Sequence, residues 1–319
     1  MKKKAIIFGV SGQDGSYLAK LLLEKKYSVL GVTRNTSKEN LFRLTKLGIL
    51  DKIKLIKGTA IDNNFLKKLF KRNNNISEIY YLAGYSSVIN SFIFPKESLI
   101  SNTLGILNIL LYVKNSKKKI KVFNAASGQF FGNFKNNLYN ESSRISPQSP
   151  YGVAKAAGYH YTKIYRESYN LFACSGILFN HESPLRSKEF VTKKIIDISK
   201  KIKKENKINL NLGNIDIYRD WGWAPEYVEA MWLMLQKKKP LDLVLGTGKK
   251  HSIRDFVKEV FKLKGISMKR LKANQNNLKR KNDIKAYRAD IKLAKKTINW
   301  QPKTNFKKIV YKMVNDELF

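Results

Sequence analysis

The sequence feature that most constrains the fold is a series of seven short apolar runs separated by stretches of helical periodicity. Most of the runs are continuously apolar, as in strands that are buried on both faces, and do not alternate with polar residues. A strand–helix alternation at this spacing predicts an α/β fold with a doubly wound parallel sheet. The predicted strands are 4–10, 27–33, 53–59, 76–84, 120–127, 172–180 and 241–248, and the clearest helices are 15–26, 62–72, 97–114 and 150–169.

Cysteine content and hydropathy indicate the cellular setting. Cys174 is the single cysteine, which excludes an internal disulfide, and the apolar run near Met1 is too short for the core of a signal peptide. No stretch approaches the ~20 apolar residues of a membrane span. We therefore predict a cytoplasmic protein that does not contact membranes.

The formal net charge of the chain is +38, which raises the question of a nucleic-acid partner. The basic residues are mostly lysines spread over the whole chain. Nucleic-acid surfaces more often group arginines with aromatic residues. We interpret the charge as a lysine-covered surface and predict no nucleic-acid partner, although the same positive field favours a polyanionic small molecule.

The first predicted strand runs directly into the glycine-rich segment "GVSGQDG". Gly9, Gly12 and Gly15 form a GxxGxxG pattern there, and a helix follows. Glycines permit a tight turn and let the backbone approach a pyrophosphate, while the helix N-terminus offers free N–H groups. The position predicts a dinucleotide-binding turn that includes Gln13 and Asp14. The alternative is a glycine-rich turn without a ligand.

The end of the second predicted strand bears on the choice of dinucleotide. Sites that prefer NAD usually carry an acid there, which binds the ribose hydroxyls. This chain has Arg34 and no acid in "GVTRNTS", which favours a 2′-phosphate and hence NADP. The alternative is an arginine that is simply solvated.

A tyrosine and a lysine that lie four residues apart indicate proton-transfer chemistry. Tyr151 and Lys155 share one face of the predicted helix 150–169. An ammonium beside a phenol favours the phenolate, although lowering a phenol pKa from ~10 to neutrality requires ~3 units, or about 4 kcal/mol. The pair follows a strand end, "NAASGQFFG" at 124–132, that carries Ser127.

These three motifs together resemble the extended short-chain dehydrogenases/reductases. Longer strings resemble the GDP-mannose 4,6-dehydratase family specifically and extend over almost the whole chain. They are "GVSGQDGSYLAKLLLEKKY", "SPYGVAK", "YRESYNLFA", "GILFNHESP", "FVTKKI", "RDWG" and "YVEAMWLMLQ".

The resemblance implies an architecture and partners. We expect an NADP-binding Rossmann domain at 1–178 plus 216–248, and a smaller, mainly C-terminal lobe for a nucleotide-sugar at 179–215 plus 249–319. GDP-mannose is the expected substrate. Relatives form homodimers or homotetramers, with the loop at 34–40 often at a subunit contact.

The resemblance also implies residue roles. Tyr151 takes the proton of the sugar C4 hydroxyl, and Lys155 favours the phenolate form of Tyr151. Ser127 hydrogen-bonds the C4 oxygen. Internal redox then runs from C4 to the cofactor, water is lost across C5–C6, and hydride returns to C6. Further implied contacts are Asn180 with the nucleotide-sugar, Lys194, Arg219 and Arg280 with the pyrophosphate, and Asp62, Leu82 and Ala83 with the cofactor.

One departure from the family concerns the elimination step. Gln129 stands where the resembling enzymes carry a glutamate that removes the C5 proton. An amide is a poor base, and such a base contributes roughly 10²–10⁴-fold. We therefore expect water loss to limit turnover and Gln129→Glu to accelerate it roughly 10²-fold. Two alternatives stay open: a GDP-hexose or heptose C4 oxidoreductase or epimerase without elimination, and a catalytically silent NADP-binding protein.

Overall fold

The structure is a computed structural model that describes residues 2–116, 118–134, 137–201, 208–210, 212–273 and 284–319. The strands are β1 (Lys4–Phe8), β2 (Ser28–Thr33), β3 (Lys54–Lys57), β4 (Glu78–Tyr81), β5 (Lys121–Ser127), β6 (Leu138–Tyr139), β7 (Ala173–Leu178), β8 (Asn180–Glu182), β9 (Ile208–Leu210), β10 (Tyr218–Arg219), β11 (Trp221–Trp223), β12 (Leu243–Leu245), β13 (His251–Ser252), β14 (Leu271–Ala273) and β15 (Arg288–Ala289).

The α-helices alternate with the strands through most of the chain. They are α1 (Gln13–Glu24), α2 (Lys38–Lys46), α3 (Asn63–Arg72), α4 (Val88–Ile93), α5 (Pro95–Leu99), α6 (Gly105–Ser116), α7 (Pro150–Tyr169), α8 (Val191–Lys201), α9 (Ala224–Gln236), α10 (Ile253–Leu263), α11 (Lys292–Ile298) and α12 (Phe306–Val314). No helix in these described ranges is long and apolar enough to cross a membrane.

The seven predicted strands form one parallel sheet in the order β12-β7-β5-β4-β1-β2-β3. The chain moves outward from β1 through β2 to β3 and then returns to place β4 on the other side of β1. This reversal creates a crevice at the carboxyl ends of β1 and β4, where open α/β sheets bind ligands. The predicted fold class is confirmed.

Apolar side chains cover both faces of the sheet, because successive residues of a strand point to opposite sides. Ile7 of β1 belongs to a core that includes residues of α1 and α9, whereas its neighbour Ile6 packs in a second core with residues of α3 and α6. Each fully buried side chain of this size stabilises the fold by roughly 1.5–3 kcal/mol. The doubly wound arrangement therefore follows from continuous apolar strands.

A third core lies outside the main sheet. It contains residues of α8, α10 and α12, together with Trp221 and Trp223 of β11. This separate packing supports a smaller lobe built mainly from the later part of the chain. The predicted boundaries, 1–178 plus 216–248 against 179–215 plus 249–319, stay a prediction.

Candidate active site

The glycine-rich turn between β1 and α1 depends on close backbone contacts. Gly9 has a φ of +86°, and a Cβ there would lie 2.8 Å from the backbone nitrogen of Ala83. A Cβ on Gly15 would lie 2.2 Å from the carbonyl oxygen of Gly9. Side chains at these positions are therefore excluded, and the turn packs directly against the chain that leaves β4.

Beside this turn lies a cavity of about 230 Å³. Its wall includes Gly9, Gly12, Leu82, Ala83 and Arg34, so five predicted cofactor residues meet in one place. Arg34 is exposed at the end of β2. The cavity lies in the crevice that the sheet topology creates.

The predicted residue Asp62 has a different local environment. It precedes α3, and its Oδ1 accepts hydrogen bonds from the backbone nitrogens of Asn64 at 2.8 Å and Phe65 at 3.1 Å. Its neighbour Ile61 lines the cavity. In this structure Asp62 caps a helix, and its contact with a cofactor stays a prediction.

Gln13 and Asp14 connect the glycine-rich turn to β8. The Gln13 amide nitrogen donates to the His181 carbonyl at 3.2 Å, and the Ser183 hydroxyl donates to Gln13 Oε1 at 2.8 Å. Asp14 Oδ2 lies 2.9 Å from His181 Nε2. These contacts join the glycine-rich turn beside this cavity to the strand that begins at Asn180.

Hydrogen bonding fixes the protonation state of His181. Its Nδ1 lies 2.8 Å from the carbonyl oxygen of Phe179, while its Nε2 faces the carboxylate of Asp14. Carbonyl and carboxylate oxygens only accept hydrogen bonds, so both ring nitrogens carry a hydrogen. His181 is therefore an imidazolium, and its ring stacks on Tyr227 with 4.4 Å between ring centroids.

The pKa shifts of this pair agree with that assignment. Burial alone would raise the pKa of Asp14, but the charge and hydrogen bond of His181 outweigh burial and lower it to about 2. Burial alone would lower the pKa of His181, but Asp14 outweighs this effect and the pKa is raised. Both shifts therefore favour the ionised pair.

A second cavity, of about 300 Å³, brings together the predicted catalytic residues. Ser127 ends β5, and Tyr151 is the second residue of α7, whose start is capped by the Ser149 hydroxyl. Lys155 lies one helical turn further and donates from Nζ to the Ala125 carbonyl at 2.7 Å. Its Nζ is 5.8 Å from the centroid of the Tyr151 ring.

The ionisation of this group depends on its burial. Burial raises the pKa of Tyr151 to about 12, although a hydrogen bond with Ser127 acts in the opposite direction. Burial also lowers the pKa of Lys155 to about 8, against the attraction of Asp14. Additional positive charge near the Tyr151 hydroxyl would favour its phenolate form, which is the form that accepts a proton.

Gln129 lies in a short 3-10 turn that follows β5 and lines the same cavity. Its Nε2 donates to the Tyr287 hydroxyl at 2.7 Å. That hydroxyl donates in turn to Asn180 Oδ1. A predicted catalytic position and a predicted substrate position are therefore joined by a residue that the sequence motifs did not indicate.

The cationic side chains that were predicted to bind the substrate pyrophosphate differ in their environments. Lys194 is exposed on α8 and lines the larger cavity. Arg219 also lines it but is buried, and its Nη1 donates to the carbonyls of Tyr218 at 2.8 Å and Ile284 at 2.6 Å. Arg280 lies outside the described residues.

Sequence reasoning missed three further lining residues. The sequence could have indicated His181, because this residue follows Asn180 in the string "NHES". Arg186, which lies 3.3 Å from Glu182, follows the same string. Tyr287 belongs to no motif and has no helical or strand periodicity around it, so no local signal identified it.

The fold and the Ser–Tyr–Lys arrangement define an extended short-chain dehydrogenase/reductase. Residues 6–313 match the family described as GDP-mannose 4,6 dehydratase. GDP-mannose 4,6 dehydratase 1 of Arabidopsis thaliana is 38% identical over 99% of this chain and 90% of the relative. The human GDP-mannose 4,6 dehydratase is 37% identical over 98% of this chain and 91% of the relative. The chain belongs to the GDP-mannose 4,6-dehydratase family, as its motifs predicted.

Solved structures show the same fold at lower identity. A UDP-glucose 4-epimerase from Thermotoga maritima, solved with UDP-glucose, has a TM-score of 0.86 at 21% identity and covers 98% of both chains. A dTDP-glucose 4,6-dehydratase from Bacillus anthracis, solved with NAD, has a TM-score of 0.85 at 19% identity over 98% of this chain and 96% of the other.

Proposed function

We propose that this protein is an NADP-dependent GDP-sugar 4,6-dehydratase whose substrate is GDP-mannose. The observation that carries the proposal is the convergence of Ser127, Tyr151 and Lys155 on one cavity beside the glycine-rich turn, in a member of this family. The alternatives that stop before elimination, or that lack catalysis, have less support because the relatives named above are dehydratases over nearly the full chain.

The residues around the smaller cavity fit a dinucleotide. The absence of side chains at Gly9 and Gly12 leaves the N-terminus of α1, with the N–H groups of its first turn, accessible to a pyrophosphate. Arg34 would bind the 2′-phosphate of NADP by a charge-assisted hydrogen bond. When bound, the nicotinamide supplies a hydride acceptor for sugar C4 and a hydride donor for C6.

The chain's own residues handle protons and position the sugar. Tyr151 takes the proton of the C4 hydroxyl, and Ser127 holds the C4 oxygen by a hydrogen bond. Lys155 stabilises the phenolate of Tyr151 through its positive charge. Asn180, Lys194 and Arg219 line the part of the cavity that would receive the nucleotide-sugar, and cations there complement a pyrophosphate.

The direct test is the mass of the product that the purified protein forms from GDP-mannose with NADP⁺. A product lighter than the substrate by one water supports the proposal. A product of unchanged mass, together with an altered C4 configuration, would favour an epimerase. Unchanged GDP-mannose would contradict this substrate assignment.

We also propose that the protein assembles as a homodimer, or as a homotetramer in which two such dimers pair through other surfaces. Helices α4, α5, α6 and α7 contact one another and carry a group of exposed apolar side chains. Ile93 is 63% exposed and Ile164 is 50% exposed. Apolar surface on neighbouring helices marks an interaction site, and a second copy would bury it by a two-fold contact. A cytoplasmic location stays a prediction of the sequence.

A further inference from the structure

The amide of Gln129 is in direct contact with a phenol from a distant part of the chain. Tyr287 is 158 residues further along, and its hydroxyl lies 2.7 Å from Gln129 Nε2. The Tyr287 side chain is almost fully buried, and its ring packs against Phe179 with 4.9 Å between centroids. Both Gln129 and Tyr287 line the larger cavity. A titratable hydroxyl is thus located next to the position where the sequence predicted a missing base.

Three other acidic residues line the described cavity wall, and each already has partners: exposed Glu189 accepts hydrogen bonds from Asn90 Nδ2 at 3.1 Å and Ser187 Oγ at 3.3 Å. Asp14 is paired with the His181 imidazolium. Glu182 accepts a hydrogen bond from Thr192 Oγ1 at 2.7 Å and lies 3.3 Å from Arg186. These carboxylates are therefore engaged as ion pairs or as hydrogen-bond acceptors.

Two groups near the Tyr287 oxygen stabilise negative charge on it, whereas Asn180 Oδ1, which accepts from the hydroxyl, favours the neutral phenol until the substrate displaces that contact. Gln129 Nε2 is a hydrogen-bond donor to this oxygen, and a donor favours the charged form of an acid. The Arg219 guanidinium carbon is 5.3 Å from the centroid of the Tyr287 ring. A glutamate at position 129 would instead place a like charge beside the phenolate. The amide at 129 and the phenol at 287 are therefore chemically complementary.

We propose that Tyr287, held by Gln129, transfers the proton during water loss. This inference rests on the proposed dehydratase function. Once C4 is a ketone, the Tyr287 phenolate takes the C5 proton, and the C–H electron pair forms the enolate. The enolate then forms the C5–C6 double bond as the C6–O bond breaks. The departing oxygen takes the proton back from Tyr287, so one water leaves and the phenolate is regenerated.

The test compares Tyr287→Phe with the unsubstituted enzyme in the presence of GDP-mannose and NADP⁺. Phenylalanine keeps the ring packed and removes only the hydroxyl. Product mass reports water loss, absorbance of the reduced nicotinamide in a single turnover reports C4 oxidation, and deuterium uptake at C5 reports proton transfer. We expect water loss and deuterium uptake to fall roughly 10²–10⁴-fold. C4 oxidation should change less than about threefold, because Tyr151 performs that step.

Two further variants sharpen the comparison. Tyr139→Phe is the matched control, because it removes a buried phenol hydroxyl that donates to the Gly132 carbonyl and lies outside the cavity wall. It should leave water loss unchanged. Gln129→Glu should restore water loss to Tyr287→Phe, since the carboxylate replaces the absent base. With Tyr287 intact, Gln129→Glu should change water loss by less than about tenfold, in place of the roughly 10²-fold gain expected from the sequence alone, because Tyr287 already supplies the base.

Several results would overturn the assignment. Undiminished water loss in Tyr287→Phe would remove Tyr287 from the step. A parallel fall in oxidation and water loss would show that Tyr287 only positions the sugar. A roughly 10²-fold gain from Gln129→Glu alone would show that the amide, and not Tyr287, sets the rate. If the unsubstituted enzyme removes no water from GDP-mannose, the proposed function fails, and the role of Tyr287 fails with it.

Discussion

The carboxylate of Asp14 and the imidazolium of His181 form an ion pair, 2.9 Å apart, that joins the glycine-rich turn to β8. Because Asn180 precedes His181, this pair holds the Asn180 side of the larger cavity close to the glycine-rich turn. The contribution of the Asp14–His181 ion pair to stability therefore depends on pH.

We expect Asp14→Asn to lower the free energy of unfolding by about 2 kcal/mol at pH 5–6, with a smaller loss at pH 9. The depressed pKa of Asp14 stabilises the fold above its unfolded value of ~3.9, and this stability is lost as pH falls toward 2. The raised pKa of His181 stabilises the fold below ~6.5, and this stability is lost as pH rises through the folded pKa.

Urea denaturation at several pH values measures this difference. Asp51→Asn, which changes an exposed carboxylate, is the control and should have little effect at any pH. An equal loss of stability by Asp14→Asn at pH 5 and pH 9 would contradict the ion-pair account.

Tyr151→Phe should reduce C4 oxidation of GDP-mannose by at least roughly 10²-fold, because it removes the phenolate oxygen that accepts the substrate proton. Absorbance of the reduced nicotinamide in a single turnover measures this step. Tyr161→Phe lies on the same helix with its side chain exposed and should behave like the unsubstituted enzyme. Normal oxidation by Tyr151→Phe would assign the proton to another group.

Arg34→Ala should weaken NADP binding by roughly 10- to 100-fold, since a charge-assisted hydrogen bond is worth about 1.5–3 kcal/mol. NAD binding should change little, because NAD lacks the 2′-phosphate. Calorimetric titration of both cofactors measures the two affinities, and Lys38→Ala, an exposed cation outside the cavity wall, is the control. Tighter binding of NAD than NADP by the unsubstituted protein would refute the cofactor preference.

Lys194→Ala should raise the KM for GDP-mannose roughly tenfold while the Kd for NADP stays the same, because one pyrophosphate contact is lost. Lys200→Ala on the same helix is exposed and outside the cavity wall, so it controls for net charge. Arg219→Ala should weaken GDP binding too, but it also breaks two backbone contacts and should lower Tm. If Lys200→Ala had the same effect as Lys194→Ala, long-range charge would explain both.

Ile93→Glu combined with Ile164→Glu should convert the proposed dimer to a monomer, because two charges per subunit would be placed in an apolar contact. Light scattering at micromolar concentration and moderate salt measures the mass. Leu241→Glu changes an exposed apolar residue outside these helices and should leave the assembly intact. A monomeric unsubstituted protein would remove the dimer proposal.

The sequence by itself determined the sheet and the local parts of the site. Continuous apolar runs require burial on both faces, and this property predicts the doubly wound sheet without knowledge of any contact. The glycines of the first turn and the four-residue spacing of Tyr151 and Lys155 are also local features, because backbone geometry alone relates their positions.

The tertiary structure decided which polar groups meet. Asp14 and His181 are 167 residues apart, and Gln129 and Tyr287 are 158 apart. Such contacts leave no periodic pattern, because a hydrogen bond depends on the direction and distance of two atoms and not on the spacing of their residues. From the sequence alone, Gln129 was interpreted as an amide at the position where a catalytic base was expected. In the folded chain it is a donor to Tyr287, because the chain that follows residue 283 returns to the end of β5.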